Sequence, residues 1–256
     1  MKKSNIEQQR SYSVVKANEL IQKSRFQLSL PEQKTVAYIC SLIQPGKRED
    51  TYQLEYNFNI RDYAKICGID YDSGRNYAEI KKTLKHLSDR SMWVDFGNEE
   101  VLCRWLSKVR IKKKSGIVSI CIDADLAPYL FNLGKNFTEY QLFHVLNMKS
   151  AFSFRLYEIL KSYLYKDYFE KTFHIDELKL LLAVEKVPSY DRFPDFRRKV
   201  IDKAVSEIND QSDLRVTYDT TTKGRKVTHI TFRITRKTPL ERLLCEQSAN
   251  DKLNKK

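Results

Sequence analysis

The apolar positions in the first part of the chain predict three helices and a strand. Residues 12–24 are expected to form a helix, with an apolar stripe made by Val14, Val15, Ala17, Leu20 and Ile21. The next helix begins after residue 29, because Ser-Leu-Pro-Glu at 29–32 has the form of a capping box with an early proline, and it stops before the Pro-Gly pair at 45–46. An alternating strand over 52–58 and a short helix over 60–67, closed by a glycine at 68, follow.

A longer helix and a basic hairpin complete the first half. Ser73 is a good N-cap for a helix to residue 90, in which Tyr77, Ile80, Leu84 and Leu87 share one face. Strands are predicted over 92–96, 101–111 and 117–122, and the basic run 112–116 forms the turn between the last two. Helix, helix, helix and then a hairpin with a basic tip is the order of a winged helix.

The same order of elements returns in the second half. Helices are expected over 154–164, 176–184 and 194–208, with a short strand over 171–173. Strands over 214–218 and 227–235 flank a turn at 222–226. We therefore predict an α+β fold of two tandem winged-helix domains related by pseudo-symmetry. The first spans residues 1–134, the second spans 135–237, and 238–256 is expected to be a polar tail.

Charge narrows the class of partner. Forty-six Lys and Arg against 33 Asp and Glu give a net charge of +13, which would concentrate polyanions, most obviously nucleic acid. No apolar run approaches the roughly 20 residues that span a bilayer, and the N-terminus lacks the apolar stretch of a signal peptide. The five cysteines are scattered without metal or redox spacing. We expect a cytoplasmic protein that binds a polyanion and does not span a membrane.

The helix that begins near Pro194 is the best candidate for reading DNA. Its apolar side chains fall on one half of the helical wheel, while the other half carries Arg198, Lys199, Asp202, Lys203 and Ser206. Arg197 is expected to point toward the apolar side, with a stem long enough to reach solvent. A solvated basic face would give the same pattern. The basic hairpin that follows, together with the charge of the whole chain, favours a recognition helix in the major groove.

Other basic residues are candidates for phosphate contacts. These are Lys112, Lys113 and Lys114 in the first hairpin turn, with Lys223, Arg225 and Lys226 in the second. The helix over 75–90 presents Arg75, Lys82, Lys85 and His86, but Glu79 and Asp89 share that face and weaken the case for base reading. Charged hairpin tips are also common in proteins that do not bind DNA, where the charges only keep the turn in solvent.

Enzymatic interpretations have less support. A strand-nicking enzyme would need a metal held by closely spaced histidines, and the four histidines here lie far apart. No Gly-rich run with Lys-Ser or Lys-Thr is present to cradle ATP. Asp123 and Asp125 could hold magnesium, although capping of a following helix explains them better. We expect no catalytic residue, no metal and no cofactor.

Six short segments, spread over nearly the whole chain, resemble the iteron-binding plasmid replication initiators, the family of the F-plasmid initiator. The strongest is FPDFRRK at 193–199; the others are EIN at 207–209, KGRKVTHI at 223–230, FRLYE at 154–158 and, more weakly, ANEL at 17–20 with SLPEQK at 29–34. The resemblance implies two pseudo-symmetric winged helices that bind repeated origin sites as a monomer and an operator as a dimer. It makes Arg192 and Arg198 the leading candidates for base contacts, with Arg197 and Lys199 beside them.

The resemblance also implies partners. These would be double-stranded DNA (iterons and operator), a second copy of the chain, the host replication initiator and the replicative helicase. The first domain would contact backbone and dimerise, while the second would read sequence. The sequence departs from the family at Thr220, Thr221 and Thr222, which weakens the expectation of phosphate contact by that turn. A winged-helix transcriptional repressor without an initiator role remains the alternative.

Overall fold

The computed structural model describes residues 4–24, 27–43, 53–69, 74–95, 99–113, 115–131 and 133–255. The elements of the first half are α1 (Asn5–Arg10), β1 (Ser13–Ala17), α2 (Asn18–Gln22), α3 (Leu30–Leu42), β2 (Glu55–Asn59), α4 (Ile60–Cys67), α5 (Gly74–Asp89), β3 (Ser91–Asp95), β4 (Glu100–Arg104), β5 (Leu106–Lys112), β6 (Ile117–Ile122) and a 3-10 helix (Ala124–Tyr129). Those of the second half are β7 (Phe137–Gln141), α6 (Phe143–Leu146), α7 (Ala151–Ser162), β8 (Tyr168–His174), α8 (Ile175–Leu181), a 3-10 turn (Pro188–Tyr190), α9 (Phe193–Phe196), a π turn (Arg197–Ile201), α10 (Asp202–Gln211), β9 (Leu214–Lys223), β10 (Lys226–Arg236) and α11 (Pro239–Asn254).

The two halves repeat one topology. In the first, α3, β2, α4 and α5 precede the hairpin β5–β6, and the sheet order is β2-β6-β5. In the second, α7, β8, α8 and the helix over 193–211 precede the hairpin β9–β10, and the sheet order is β8-β10-β9. Each half is thus a winged helix, which confirms the predicted α+β fold with two tandem domains.

Each half contains a strand, β1 or β7, that the sequence did not predict. Residues 12–24 are not one helix: 13–17 form β1, which pairs antiparallel with β7, and only 18–22 are helical. Val14 and Val15 are β-branched residues that favour a strand when a partner is available, and here their partners are Tyr140 and Glu139 in β7. Because β1 and β7 each precede a short helix and then the first long helix of a winged helix, this pairing joins equivalent strands of the two halves.

The first half contains a hairpin that has no counterpart in the second. The strand predicted over 101–111 is two strands, β4 and β5, separated by the buried Trp105. β4 pairs with β3, while β5 pairs with β6, so the two strands belong to different sheets. The alternating pattern runs through both strands, which is why periodicity alone merged them.

Local signals placed two helices correctly. Ser29 and Glu32 form the predicted capping box at the start of α3. The α4 helix spans Ile60 to Cys67 as predicted and ends at Gly68, whose φ of 64° is the left-handed conformation that glycine adopts without a Cβ penalty. Ser73, Pro45, Tyr52 and Phe96 lie outside the described residues.

Buried charges on α7 join the two halves. Arg155 donates from Nη2 to the carbonyl oxygens of Ile21, at 2.7 Å, and Ser24, at 3.0 Å. Glu158 accepts from Lys16 Nζ and from the hydroxyl of Tyr140, both at 2.6 Å. Removing one partner of such a buried pair is costly. α7 therefore fixes the first winged helix against the second.

The predicted polar tail is wrong for residues 239–254, which form the capped helix α11. Thr238 and Glu241 make its capping box, and Ala249, Asn250 and Leu253 are buried. The buried Arg10 guanidinium donates to the carbonyl oxygen of Ile66 at 3.0 Å and to Asn254 Oδ1 at 2.7 Å. Both chain ends thus pack on α4. The boundary predicted between residues 134 and 135 stays a prediction.

Candidate nucleic-acid interface

The helix over 193–211 carries the candidate recognition surface. Its buried side includes Phe196, Val200, Ile201, Ala204 and Ile208, as the wheel predicted. Its opposite side exposes the predicted basic residues Arg197, Arg198, Lys199 and Lys203, and Arg192 is exposed at its N-cap. The apolar side anchors the helix to α7, so the basic side faces solvent on a fixed support.

A π turn changes which residues this helix presents. Residues 197–201 are π-helical, and the three successive residues Arg197, Arg198 and Lys199 are all exposed between buried Phe196 and buried Val200. Arg197 reaches solvent as expected, although a regular α-helical wheel places it toward the apolar side. An α-helical wheel advances 100° per residue, whereas a π turn inserts an extra residue and shifts the wheel locally. Such turns are frequent at functional sites.

Arg197 is held by the sheet behind the helix. Its Nε donates to the hydroxyl of Tyr218, in β9, at 3.0 Å and lies 3.6 Å from Asp202 Oδ2. The Tyr218 hydroxyl in turn donates to Asp202. The hydrogen bond from Arg197 to Tyr218, together with the nearby Asp202 carboxylate, raises the pKa of Arg197 above its usual value. This arginine is positioned before any ligand arrives.

Arg192 and Arg198 share one carboxylate. Arg192 Nη1 lies 3.8 Å from Asp195 Oδ2, and Arg198 Nη2 lies 3.5 Å from Asp195 Oδ1. The two arginine side chains are 81% and 75% exposed, so these ion pairs are weak. Both guanidinium groups can therefore leave Asp195 and bind a ligand that carries more negative charge.

The second hairpin lies beside the start of this helix. Arg225, Lys226 and Val227 line a groove of about 620 Å³ whose other wall includes Phe193 and Pro194. The turn is shorter than predicted, because β9 continues through residues 220–223 and only Gly224 and Arg225 connect the strands. Gly224 has a φ of 63°, which fits a tight turn. Lys223, Arg225 and Lys226 are exposed and make no ion pair with the described residues.

The equivalent residues of the first half are also on the surface. Arg75, Lys82 and Lys85 are exposed on α5, and Lys85 is paired with Asp89. Lys112 and Lys113 are exposed at the end of β5, whereas Lys114 lies outside the described residues. His86 turns to the buried Glu32, with 3.3 Å between His86 Nδ1 and Glu32 Oε1. The pairing with Asp89 reduces the positive charge that α5 presents.

Within the described ranges, no three His, Cys, Asp or Glu side chains are grouped closely enough to hold a metal ion. Asp123 accepts a hydrogen bond from the backbone N–H of Asp125 at 3.1 Å, which confirms its predicted capping role. Over the same part of the chain no helix is both long and apolar enough to cross a membrane.

Sequence reasoning missed the residues that position the basic groups. Tyr218 was assigned only to a strand, and Asp202 only to the polar half of the helix. Lys179 of α8 is buried, with its Nζ 5.8 Å from the centre of the Phe196 ring. A helical wheel contains no information on the neighbouring strand or helix, so contacts of this kind had no local signal.

An exposed basic helix beside a basic hairpin, supported by two helices and a small sheet, defines a winged-helix DNA-binding protein. Two family models match this chain: the first winged helix of the initiator replication proteins over residues 13–161, and the second winged helix of the same proteins over 174–234. The chain therefore belongs to the initiator Rep protein family.

A solved structure supports the fold independently. The Pi initiator protein, crystallised in complex with iteron DNA, superposes with a TM-score of 0.71 at 21% sequence identity. The match covers 89% of this chain and 98% of that chain. The arrangement of both winged helices is thus shared over nearly the whole length.

Proposed function

We propose that this protein initiates plasmid replication by binding directly repeated origin sequences, or iterons, in duplex DNA. The observation that carries the proposal is the exposed basic face of the 193–211 helix, Arg197, Arg198, Lys199 and Lys203, on a helix whose first residues, Phe193 and Pro194, line one groove with Arg225 and Lys226 of the hairpin turn. Family membership supports the initiator role, and the similar Pi initiator protein was crystallised with iteron DNA.

The basic residues divide into two roles. Arg198 and Arg192 lie at the N-terminal end of the recognition helix, where a winged helix meets base edges, and arginine can bond both O6 and N7 of guanine. Lys223, Arg225 and Lys226 of the turn would contact phosphates, which fix register and carry no sequence information. In the first half, Arg75, Lys82, Lys112 and Lys113 would add further phosphate contacts.

Self-association is assigned to the first half. Trp93 and Leu102 face each other across the β3–β4 hairpin and are 56% and 50% exposed. Exposed large apolar pairs of this kind are typical of interaction surfaces. A second copy of this chain is the occupant we propose, because an initiator of this family would bind its operator as a dimer and thereby repress its own gene.

The remaining roles follow from the same proposal. The protein would recruit the host replication initiator and the replicative helicase in the bacterial cytoplasm. It would perform no covalent chemistry, so purified protein should leave supercoiled plasmid uncut in magnesium or manganese. Strand cleavage that disappears with one tyrosine substitution would overturn this part and favour a nicking enzyme.

A complementation experiment separates an initiator from a repressor. A plasmid that carries the origin region but an inactivated copy of the gene is introduced into cells that supply the protein in trans. The proposal predicts that the plasmid replicates only when the protein is supplied. Replication without it, combined with repression of the promoter when it is present, would favour the plain transcriptional repressor.

A further inference from the structure

A polar cavity lies at the end of the second winged helix that is opposite the DNA interface. It has a volume of about 460 Å³ and is lined by residues of β1, β7, α6, the end of α7, the residue before β9, the end of β10 and the start of α11. β10 runs from the hairpin turn at Lys226 to the cavity at Arg236. At about 3.3 Å per residue the cavity is about 30 Å from the turn, so it is separate from the proposed DNA site.

Donor groups of two arginines in this cavity lack hydrogen-bond partners. The Nε atoms of Arg236 and Arg242 are buried, and neither donates a hydrogen bond within the described chain. Arg236 Nε lies 3.6 Å from Asp167 Oδ1, which is too long for a hydrogen bond. The Arg242 guanidinium has no ion pair with any described residue. A buried donor without an acceptor is unfavourable, and charged donors most of all.

A third unpartnered nitrogen is in the same cavity. His144 is 3% exposed, and its Nδ1 has no hydrogen bond. Burial lowers the pKa of His144 to about 4, so the ring is neutral at pH 7. It therefore adds polarity to the wall without adding a positive charge.

Both carboxylates of the lining accept hydrogen bonds, but only Asp213 is also paired with a cation, so Glu139 keeps its negative charge. Asp213 accepts from the Tyr157 hydroxyl at 2.8 Å and from Lys161. Burial acts to raise the pKa of Asp213, but His144 and Lys161 outweigh it and lower this pKa to about 2. Glu139 accepts from the Ser13 hydroxyl at 2.5 Å. Lys161 is neutralised by Asp213 and Arg236 lies 3.6 Å from the exposed Asp167, so Arg242 is the cation of the lining that has no ion pair within the described residues.

From these observations we propose that the cavity binds a small phosphate anion, either inorganic phosphate or the phosphate group of a monoester. Guanidinium groups present planar forks of donors that match phosphate oxygens. A phosphate would supply acceptors to Arg236 and Arg242 together, and would join the end of β10 to the C-terminal helix α11. The bound anion would thus stabilise the docking of α11.

Thermal unfolding of the full chain, without DNA, tests the site. Inorganic phosphate is compared with chloride at equal pH and ionic strength, for wild type, Arg242→Gln and the control Lys203→Gln. The control removes one exposed positive charge from the DNA interface. At a phosphate concentration about ten times Kd, the Tm of wild type and of the control should rise by about 3 °C above the chloride value, while Arg242→Gln should show no such rise.

Two further measurements keep the result interpretable. Arg242→Lys keeps the positive charge but removes the planar guanidinium group, so we expect a rise in Tm smaller than that of wild type. Circular dichroism in chloride checks that both Arg242 variants fold. Adenosine monophosphate in place of phosphate distinguishes the sources: an equal rise assigns the site to phosphate monoesters, and no rise assigns it to free phosphate. An equal phosphate effect in all the variants, or none beyond chloride in wild type, would overturn the proposal without touching the iteron-binding proposal.

Discussion

Replacing Arg198 with alanine should weaken specific DNA binding without unfolding the protein. An arginine that bonds a guanine through both acceptors contributes about 1–3 kcal/mol of discrimination. In the free protein Arg198 also contacts Asp195 at 3.5 Å, and an exposed pair of this kind is worth at most about 1 kcal/mol. Because that contact must be loosened when DNA binds, the expected net loss is about 1–2 kcal/mol, or about five- to thirtyfold in Kd.

Competition binding by fluorescence anisotropy measures this loss. Wild type, Arg198→Ala and the control Arg233→Ala are titrated with an iteron duplex, with single-base variants of it and with a random duplex. Arg233 is an exposed arginine of the same domain whose guanidinium is engaged by Glu170 and Asp219. We expect Arg198→Ala to lose preference at one base position and to bind random duplex almost normally. An equal loss on specific and random duplex would refute base reading by this residue.

Three other changes test separate parts of the account. Lys113→Ala should reduce the slope of log K against log salt by about one unit in DNA titrations, and an unchanged slope would reject its phosphate contact. Tyr218→Phe removes the hydroxyl between Arg197 and Asp202 and should cost about 1 kcal/mol of specific binding; full affinity would show that Arg197 needs no support. Burial lowers the pKa of His144 from 6.5 to about 4 in the folded protein. As the pH falls, His144 is therefore protonated in the unfolded chain before it is protonated in the folded protein. The stability present above pH 6.5 should therefore decline by up to about 3 kcal/mol toward pH 4. Urea unfolding should show a smaller decline for His144→Gln, and an equal decline would contradict the assignment.

What the sequence could predict was set by local signals. The α4 helix from Ile60 to Cys67 was placed correctly because Gly68 ends it in the left-handed conformation. The capping box at Ser29 likewise placed α3. The apolar half of the 193–211 helix followed from its period, and the pattern of buried residues agrees with it. In each case the determinant lies within a few residues of the element.

The errors arose where a distant partner decides the structure. Val14 pairs with Tyr140, which lies far along the chain, and this contact converts an expected helix into β1. The C-terminal helix α11 is polar along most of its length, and its buried contacts include the amide of Asn250 with Arg10. The π turn at 197–201 exposes Arg197 through a change of helical geometry that a regular wheel excludes by construction. Neither pairing partners nor irregular turns have a signature in local periodicity.

A nuclease-protection footprint on the plasmid region that carries the gene tests the central claim most directly. Two winged helices that enter successive major grooves cover about 20 base pairs. The account predicts several protected segments of that length, directly repeated, each with the same sequence, and their protection by Arg198→Ala only at a concentration about five- to thirtyfold higher. Protection confined to one inverted repeat at the promoter, or spread without preference over the whole fragment, would contradict it.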